Sequence, residues 1–351
     1  MAMARRFTAS LAAASLALAA PACAGGVPAY FETGSIGGPD GFWDYANWDD
    51  ASQQVLVGHS NDILVVDPEQ GTVDAIGQVV HAHIALAIPR TPNVFVTSGG
   101  DDTVRILDRD TGKQLASIAV GQDPDAAVMA EDGAQAWVMD ARSGEISIID
   151  LKTNIETGRI ALKPGLEAGA LVGPVELAVN NEDESEIELA NLATGKADGT
   201  IAIPGCANPT GFAYAPDRGL VISTCRNGKA ALVDVKARKL VQLVDIGQGP
   251  DTAIYDFARQ RFIVPCGRSG TLSLVELGKP GSEPTATSVP TELGARTAAL
   301  DPATGAAAPP DCALRQGRAG QAPAARTGQL SHIGDEPGQV RRRYTLSSRS
   351  P

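Results

Sequence analysis

The stretch GQDPDAAVMAEDGAQAWVMDARSGEISIIDLKTNIETGRIAL, residues 121–162, contains four short apolar runs separated by turn-forming residues. The first run follows a Gly-x-x-Pro segment, and a turn at 131–133 (EDG) separates it from the second run, AQAWVMD. Gly144 opens the third run, EISIID, and a turn at 152–154 leads to the fourth, ETGRIAL. Alternating β-branched residues bounded by Gly, Asp and Asn turns predict β-strands rather than helices.

An acidic residue or asparagine ends the third run of each copy, and this marker residue reveals the period. Consecutive marker residues lie 41 to 43 positions apart. They are Asp67, Asp108, Asp150, Asn191, Asp234 and Glu276. Four strands in every 42 residues or so, without a helical period, predict a blade of a β-propeller. Because one blade buries little surface alone, neighbouring blades must stack their apolar faces into a common core.

The copies add up to seven blades, so the predicted fold is an all-β, seven-bladed β-propeller with four-stranded blades. Blade one is predicted to begin at Phe42 and blade seven at about Val289. The segment VPAYFETGS, residues 27–35, predicts an extra strand that closes the ring as the outer strand of blade seven. Residues 25–41 are therefore read as a closing strand and lead-in, and residues 42–305 as the propeller.

The last blade departs from the repeat. GARTAALDPATG, residues 294–305, matches the opening of blade six, but the pattern of a second and third strand does not follow. Residues 306–351 contain seven Arg, no Lys and few β-branched or aromatic residues. Such a composition buries too little apolar surface to order itself. We expect an incomplete seventh blade and a tail that is either disordered or read in a shifted frame after Gly305.

The first residues have the features of a secretory signal peptide. Arg5 and Arg6 precede an apolar run at 11–20, and a small-residue cleavage site ends at Ala24. A lipoprotein anchor at Cys23 is the weaker alternative. The apolar run is too short to cross a bilayer, and no later segment is both long and apolar enough. These features predict export to the periplasm or the exterior, with residues 1–24 removed and no membrane span.

The blades resemble the YVTN-type (YncE-like) family of exported β-propellers. The resemblance is carried by VNN at residues 179–181 with EIELANLATGK after it, and by the Gly-x-x-Pro segments at 121–124 and 247–250. The WD40 pattern is not met, since no blade has Trp before its marker residue. The resemblance spans residues 42–305. It implies a seven-bladed ring and a binding role, and it implies no catalytic residue.

The first strand of every propeller blade lines the central channel, so its first residues lie at the channel mouth. At this level the seven blades offer Asp44, His83, Asp125, Glu167, Thr210, Asp251 and Arg296. Carboxylates and an imidazole are ligands for Ca²⁺ or a similar divalent ion. Crowded carboxylates also raise one another's pKa, as an acid catalyst requires. We predict a ligand site here; the alternative is a merely solvated polar rim.

Two histidines and an aromatic segment are further candidates. His81 and His83 lie two apart on a predicted strand and would share one face, a spacing that suits zinc or copper. With Asp125 they are the candidate metal ligands, and a structural role is the alternative. The segment FWDYANWDD, residues 42–50, is predicted either to form a stacking rim for a ligand or to fill the joint where the ring closes.

The cysteines predict one disulfide. Cys206 precedes the first strand of blade five and Cys225 ends its second strand, so antiparallel pairing places both at the same end. In an oxidising compartment a Cys206–Cys225 bridge is the leading prediction. Cys266 occupies the Cys225 position one blade later and is the competing partner.

Three functions compete. The favoured hypothesis is an exported, non-catalytic binding protein that takes a small molecule, a cation or a periplasmic protein at its acidic channel face. The alternative is a lactonase-like hydrolase. It would use the carboxylates of the channel mouth and His83 for catalysis, with or without a divalent cation as cofactor. A docking subunit for a periplasmic redox system is the third. The net charge of −12 argues against nucleic acid as a partner, and we expect a monomer.

Overall fold

The structure, a computed structural model, describes residues 30–279, 281–308, 310–311 and 328–334. The predicted signal peptide with Cys23, and most of the tail, lie outside these residues. The one helix that they contain is a three-residue 3₁₀ turn, Gly99–Asp101. No helix of the described residues is therefore long and apolar enough to cross a membrane.

Six four-stranded antiparallel sheets follow one another along the chain, preceded by strand β1 (Phe31–Gly38). Blade one contains β2 (Trp43–Asp49), β3 (Gln54–His59), β4 (Asp62–Asp67) and β5 (Thr72–Ile76). Blade two contains β6 (Ala82–Ala87), β7 (Asn93–Ser98), β8 (Thr103–Asp108) and β9 (Gln114–Ala119). Blade three contains β10 (Pro124–Met129), β11 (Gln135–Asp140), β12 (Glu145–Asp150) and β13 (Ile155–Ala161).

The second half of the ring repeats this order. Blade four contains β14 (Leu166–Leu171), β15 (Glu176–Asn181), β16 (Glu186–Asn191) and β17 (Lys196–Ala202). Blade five contains β18 (Pro209–Ala215), β19 (Leu220–Cys225), β20 (Lys229–Asp234) and β21 (Lys239–Asp245). Blade six contains β22 (Ile254–Asp256), β23 (Arg261–Cys266), β24 (Thr271–Glu276) and β25 (Thr285–Pro290). The predicted four-stranded blade pattern is confirmed.

The seventh sheet is assembled from both ends of the described chain. It contains β26 (Ala299–Leu300), β27 (Ala307–Ala308), β28 (Pro310–Asp311) and β29 (Gly328–Gly334), with β1 at its outer edge. Strand β26 contacts β22 on one side and β2 on the other, which closes the ring. The blade is partial, as predicted, because β26, β27 and β28 have only two residues each.

Two sequence expectations about this last blade differ from the structure. Residues Thr285–Pro290 form the outer strand of blade six, so blade seven does not begin near Val289. Strand Gly328–Gly334 lies within the tail and pairs with β1 along its whole length, although its sequence, GQLSHIG, is poor in strand-forming residues. Pairing to a neighbouring strand therefore outweighs weak β propensity here.

In blades one to five the marker residue accepts a hydrogen bond from the backbone of the turn after the third strand. Asp67 accepts hydrogen bonds from the backbone N–H groups of residues 69 and 70 at 3.0 and 2.8 Å. Asp150 and Asn191 make the same pair of contacts in their own blades. A short carbonyl or carboxylate side chain is suited to this role, because it reaches its own backbone two or three positions later. The sequence period is thus the period of this turn.

The Cys206–Cys225 disulfide is present, with Cα atoms 5.4 Å apart. It ties the loop before β18 to the end of β19. Cys266, the competing partner in the sequence prediction, is a buried thiol. The buried core of the ring is aliphatic, and consists mainly of Val, Ile, Leu and Ala from the inner strands of neighbouring blades.

Candidate functional site: the mouth of the central channel

One backbone irregularity recurs wherever a first strand meets the channel mouth. In blades one to five the predicted mouth residue is the second residue of the first strand, and the pairing register shifts just after it. Such a bulge re-aims the side chains beside it. In blade six the irregularity is larger, because Asp251 lies between an isolated bridge at Pro250 and the start of β22.

Three of the predicted mouth residues, from three successive blades, meet at one nitrogen atom of His83. The Nδ1 atom of His83 lies 2.7 Å from Asp44 Oδ2 and 2.9 Å from Asp125 Oδ1. One ligand atom from each residue lies within 4.8 Å of the others, a spacing at which the trio could hold a metal ion if His83 lost its Nδ1 proton. Burial opposes a charge on the imidazole, but the hydrogen bonds to Asp125 and Asp44 outweigh it and raise the pKa of His83 to about 11. His83 is therefore an imidazolium near neutral pH.

The other side of the mouth holds two more carboxyl groups and their arginines. Asp251 Oδ2 lies 3.2 Å from Arg296 Nε, and Glu167 Oε1 lies 3.9 Å from Arg226. Burial raises the pKa of Asp251 to about 7, although Arg296 opposes the shift. Burial, with Asp125 and Asp251 close by, raises the pKa of Glu167 well above its usual range. These carboxyl groups resist ionisation mainly because they are buried, and the neighbouring carboxylates add to the effect.

Asp44 belongs to the same electrostatic group. Burial raises the pKa of Asp44, against the hydrogen bond from His83 and with the negative charge of Asp125 adding to the rise. Tyr45 follows Asp44 in the chain, and burial together with the mouth carboxylates raises the pKa of its hydroxyl well above the ordinary value. Six of the seven predicted residues, all except Thr210, thus influence one another across the opening.

Thr210 has a different role from the other mouth residues. Its side chain is 0% exposed, and its hydroxyl donates to the backbone carbonyl of Pro250 in the next blade at 3.1 Å. Thr97 and Thr297 link other pairs of blades in the same way, donating to the carbonyls of Asp125 and Asp44. Thr210 therefore joins two blades.

The two histidines lie close together, but not for the reason that the sequence suggested. His81 precedes strand β6 and has a positive φ of 58°, so the alternation of a strand does not apply to it. Its exposed ring nevertheless lies 4.3 Å from the ring of His83 and 5.5 Å from that of Phe42, centroid to centroid. The guanidinium of Arg296 covers the Phe42 ring at 5.1 Å. Phe42 and His81 thus form an aromatic rim, whereas Trp43 is buried in the core that blade one shares with the seventh sheet, where the ring closes.

Below the mouth, the channel wall is built from the residues that follow the mouth residues in the chain. Tyr45, Ile84, Ala126 and Ala168 line a cavity directly after Asp44, His83, Asp125 and Glu167. Thr252 lines the same cavity after Asp251. The sequence prediction did not include these wall residues or Arg226. Each wall residue follows the mouth residue of its blade by one position, so the repeat could have identified the wall as well.

Similarity to known proteins is confined to the fold. No protein-family model and no curated protein matches the sequence. A solved structure of hydrazine synthase from Kuenenia stuttgartiensis is 15% identical, with a TM-score of 0.67, over 77% of this chain and 92% of that one. A chain in a crystal structure of a mitotic checkpoint complex is also 15% identical, with a TM-score of 0.71, over 93% of this chain and 98% of that one. At such identity the likeness shows the β-propeller fold alone.

Proposed function

We propose that the protein is an exported β-propeller that binds a cationic ligand at the mouth of its channel without transforming it. The observation that carries this proposal is that four blades each bring one carboxyl group to the same opening. These groups belong to Asp44, Asp125, Glu167 and Asp251, and the raised pKa values of Asp44, Glu167 and Asp251 each have another of the four carboxyl groups as a cause. A rigid ring that presents preformed loops on one face suits recognition.

The charge balance of the mouth favours a cation over an anion. His83 neutralises part of the charge of Asp44 and Asp125, and Arg296 pairs with Asp251. The raised pKa values of Asp251 and Glu167 mean that these groups keep protons that a bound cation would replace. Cation binding is therefore expected to release protons and to strengthen as the pH rises from about 6 to 8.

Export and family membership belong to this proposal as well. The Cys206–Cys225 disulfide suits an oxidising compartment, as does the signal-like sequence at residues 1–24. The Gly-x-x-Pro segments that precede the first strands of blades three and six are a feature of YVTN-type propellers. We therefore infer a periplasmic or secreted member of that group, with a small molecule or a periplasmic protein as its partner.

The first test is elemental analysis of the purified protein before and after dialysis against a chelator. Calorimetric titration of the stripped protein with Ca²⁺ and with Zn²⁺ follows. The Asp125→Asn variant is expected to lose at least tenfold in affinity for whichever ion binds, with little change in melting temperature. Asp110→Asn, at an exposed turn on the outer part of blade two, is the matched control. Failure of the protein to bind any cation, inorganic or organic, would refute the proposal.

A hydrolase is the second candidate, and one observation favours it. The pKa of Asp251 lies at about 7, where a carboxylate is suited to general base catalysis, and the imidazolium of His83 is a potential electrophile on another blade of the same mouth. Turnover of simple lactones, abolished by Asp251→Asn and dependent on a divalent ion, would support this candidate. Binding of a lactone without turnover would leave the binding function in place.

A further inference from the structure

The channel below the mouth contains a partly open space whose lining side chains are mainly apolar. Its volume is about 170 Å³, and its walls include Ile84, Leu86, Ala126, Ala168 and Phe212. An apolar protein cavity of about 150 Å³ holds a molecule the size of benzene. The channel therefore has room for a ligand segment of about four to six carbon atoms, directly beneath the carboxyl groups.

Two residues that line this space, Asn47 and Thr252, each have a buried polar atom without a hydrogen-bond partner within the described residues. Thr252 is only 7% exposed, lines the cavity, and its Oγ1 makes no hydrogen bond within the described residues. A buried hydroxyl without a partner is destabilising, so its presence calls for a group that enters the cavity. Thr252 directly follows Asp251, which places this hydroxyl where the acidic mouth meets the apolar channel.

The carboxyl group of Glu167 also lacks a close cation. Its nearest ion-pair partner is Arg226 at 3.9 Å, and that guanidinium lies closer to Glu182, at 3.2 Å. The neighbouring residue Ala168 belongs to the apolar wall. A ligand at this position would thus meet negative charge at one end and hydrocarbon at the other.

We propose that the ligand is a short primary alkylammonium ion, with its ammonium group among Glu167, Asp251 and Thr252 and its alkyl chain in the channel. This inference rests on the proposed cation-binding function of the mouth. An ammonium group carries three N–H donors, and the two carboxyl groups and the Thr252 hydroxyl are three acceptors. A metal ion fits less well, because Ca²⁺ takes six to eight oxygen ligands and the channel wall offers mainly carbon.

The test is a calorimetric titration of the whole protein with a series of primary amines from ethylamine to octylamine. Each added methylene is expected to strengthen binding by roughly fourfold while it is buried. The gain is expected to stop at about six carbons, when the cavity is full. The alcohol and the carboxylate of the same chain lengths are the controls, and both are expected to bind at least tenfold more weakly than the amine.

Two variants, with one control, locate the two ends of the ligand. Ala168→Leu fills the channel and is expected to abolish the gain with chain length, whereas Ala202→Leu, on the exposed outer strand β17, is the matched control. Thr252→Val keeps the size of the side chain and removes the hydroxyl, and a roughly tenfold loss for every amine is expected. Because Thr252→Val is nearly isosteric, it still tests the proposal if Ala168→Leu does not fold.

Different results of these titrations would refute the alkylammonium proposal alone or the cation-binding function as well. If divalent cations bind at the mouth but amines do not, the alkylammonium proposal is wrong and the cation-binding function remains. If amines bind with an affinity that is independent of chain length, or unaltered by Ala168→Leu, the chain does not enter the channel. If neither amines nor metal ions bind, both proposals are wrong.

Discussion

The imidazolium of His83 donates to the carboxylate of Asp44 across the boundary between blades two and one, at 2.7 Å. A charged hydrogen bond between largely buried groups contributes to stability as well as to the site, because either group left alone would be poorly solvated. Asp125 of blade three shares the same Nδ1–H at 2.9 Å. One proton therefore connects three blades at the mouth.

Replacement of His83 by Gln is expected to destabilise the protein by about 3 kcal/mol at pH 7, because two buried carboxylates then face each other without a cation. The folded-state pKa of His83 lies at about 11, above the usual 6.5. The contribution of His83 to the free energy of unfolding is therefore complete below about pH 6.5 and is lost as the pH rises toward 11. Guanidinium unfolding at pH 7 and pH 10 checks this. The wild type should lose more stability over this range than His83→Gln, and His81→Gln should behave as the wild type.

Asp140 is expected to make stability depend on pH in the acidic range. It is fully buried at the end of β11, and burial raises its pKa to about 7. The hydroxyl of Ser147 lies 2.7 Å from Asp140 and 2.8 Å from Glu156, yet it has only one proton to donate. The native state thus keeps a proton on Asp140 that the unfolded chain releases near pH 4. Asp140 therefore does not lower the free energy of unfolding below about pH 4, and this free energy falls as the pH rises from 4 to 7.

The Asp140→Asn variant isolates this effect, since an amide does not titrate. The free energy of unfolding of the wild type is expected to fall by about 2 to 4 kcal/mol more than that of the variant between pH 4.5 and pH 8. Equal slopes for the two proteins would show that Asp140 ionises normally. Asp150→Asn, at an exposed turn of the same blade, provides the control for loss of one charge.

Loss of the Cys206–Cys225 disulfide is expected to cost about 3 kcal/mol, because the bridge closes a loop between residues only 19 apart. The double variant Cys206→Ser/Cys225→Ser should melt at a lower temperature than the wild type. Reductant should lower the melting temperature of the wild type and leave that of the variant unchanged. Cys266→Ala, which removes the buried thiol, tests whether any reductant effect has another source.

Asn180 is expected to be a structural residue with no part in ligand binding. Its amide donates to the backbone carbonyls of Thr210 and Gly211 in the next blade, both at 3.0 Å, and accepts from Ser223 at 2.7 Å. Asn180→Ala leaves these buried groups unpaired and should cost about 3 kcal/mol. Asn191→Ala, at the turn that ends β16, should cost about 1 kcal/mol. Chemical unfolding compares the two, and cation affinity at the mouth should change in neither.

The sequence was sufficient to predict the blades because each blade repeats the same turn chemistry. The marker residues at Asp67 and Asn191 act through bonds to their own neighbouring backbone, which is a local property. Placement of the mouth residues also followed from the repeat, because the position of a residue within a blade fixes its depth in the channel. The disulfide followed from strand pairing within blade five.

What the sequence did not reveal depends on contacts between blades. Whether Thr210 faces the opening or bonds to Pro250 is decided by how closely blades five and six approach. That Asp44 and Asp125 would share one nitrogen of His83 depends on bulges in three separate strands. The pairing of residues 328–334 with β1 joins segments almost three hundred residues apart, and no local pattern encodes it.

The seventh sheet has a consequence for the order of assembly. Strand β1 precedes all six complete blades in the chain, and its partner β29 follows them. Six blades can stack one after another while the chain is still growing, since each contacts mainly its neighbours. The pairing of β29 with β1 can therefore form only after the last described segment has been synthesised. Until then only the short strand β26, which contacts β22 and β2, joins blade six to blade one, and β1 has an unpaired edge.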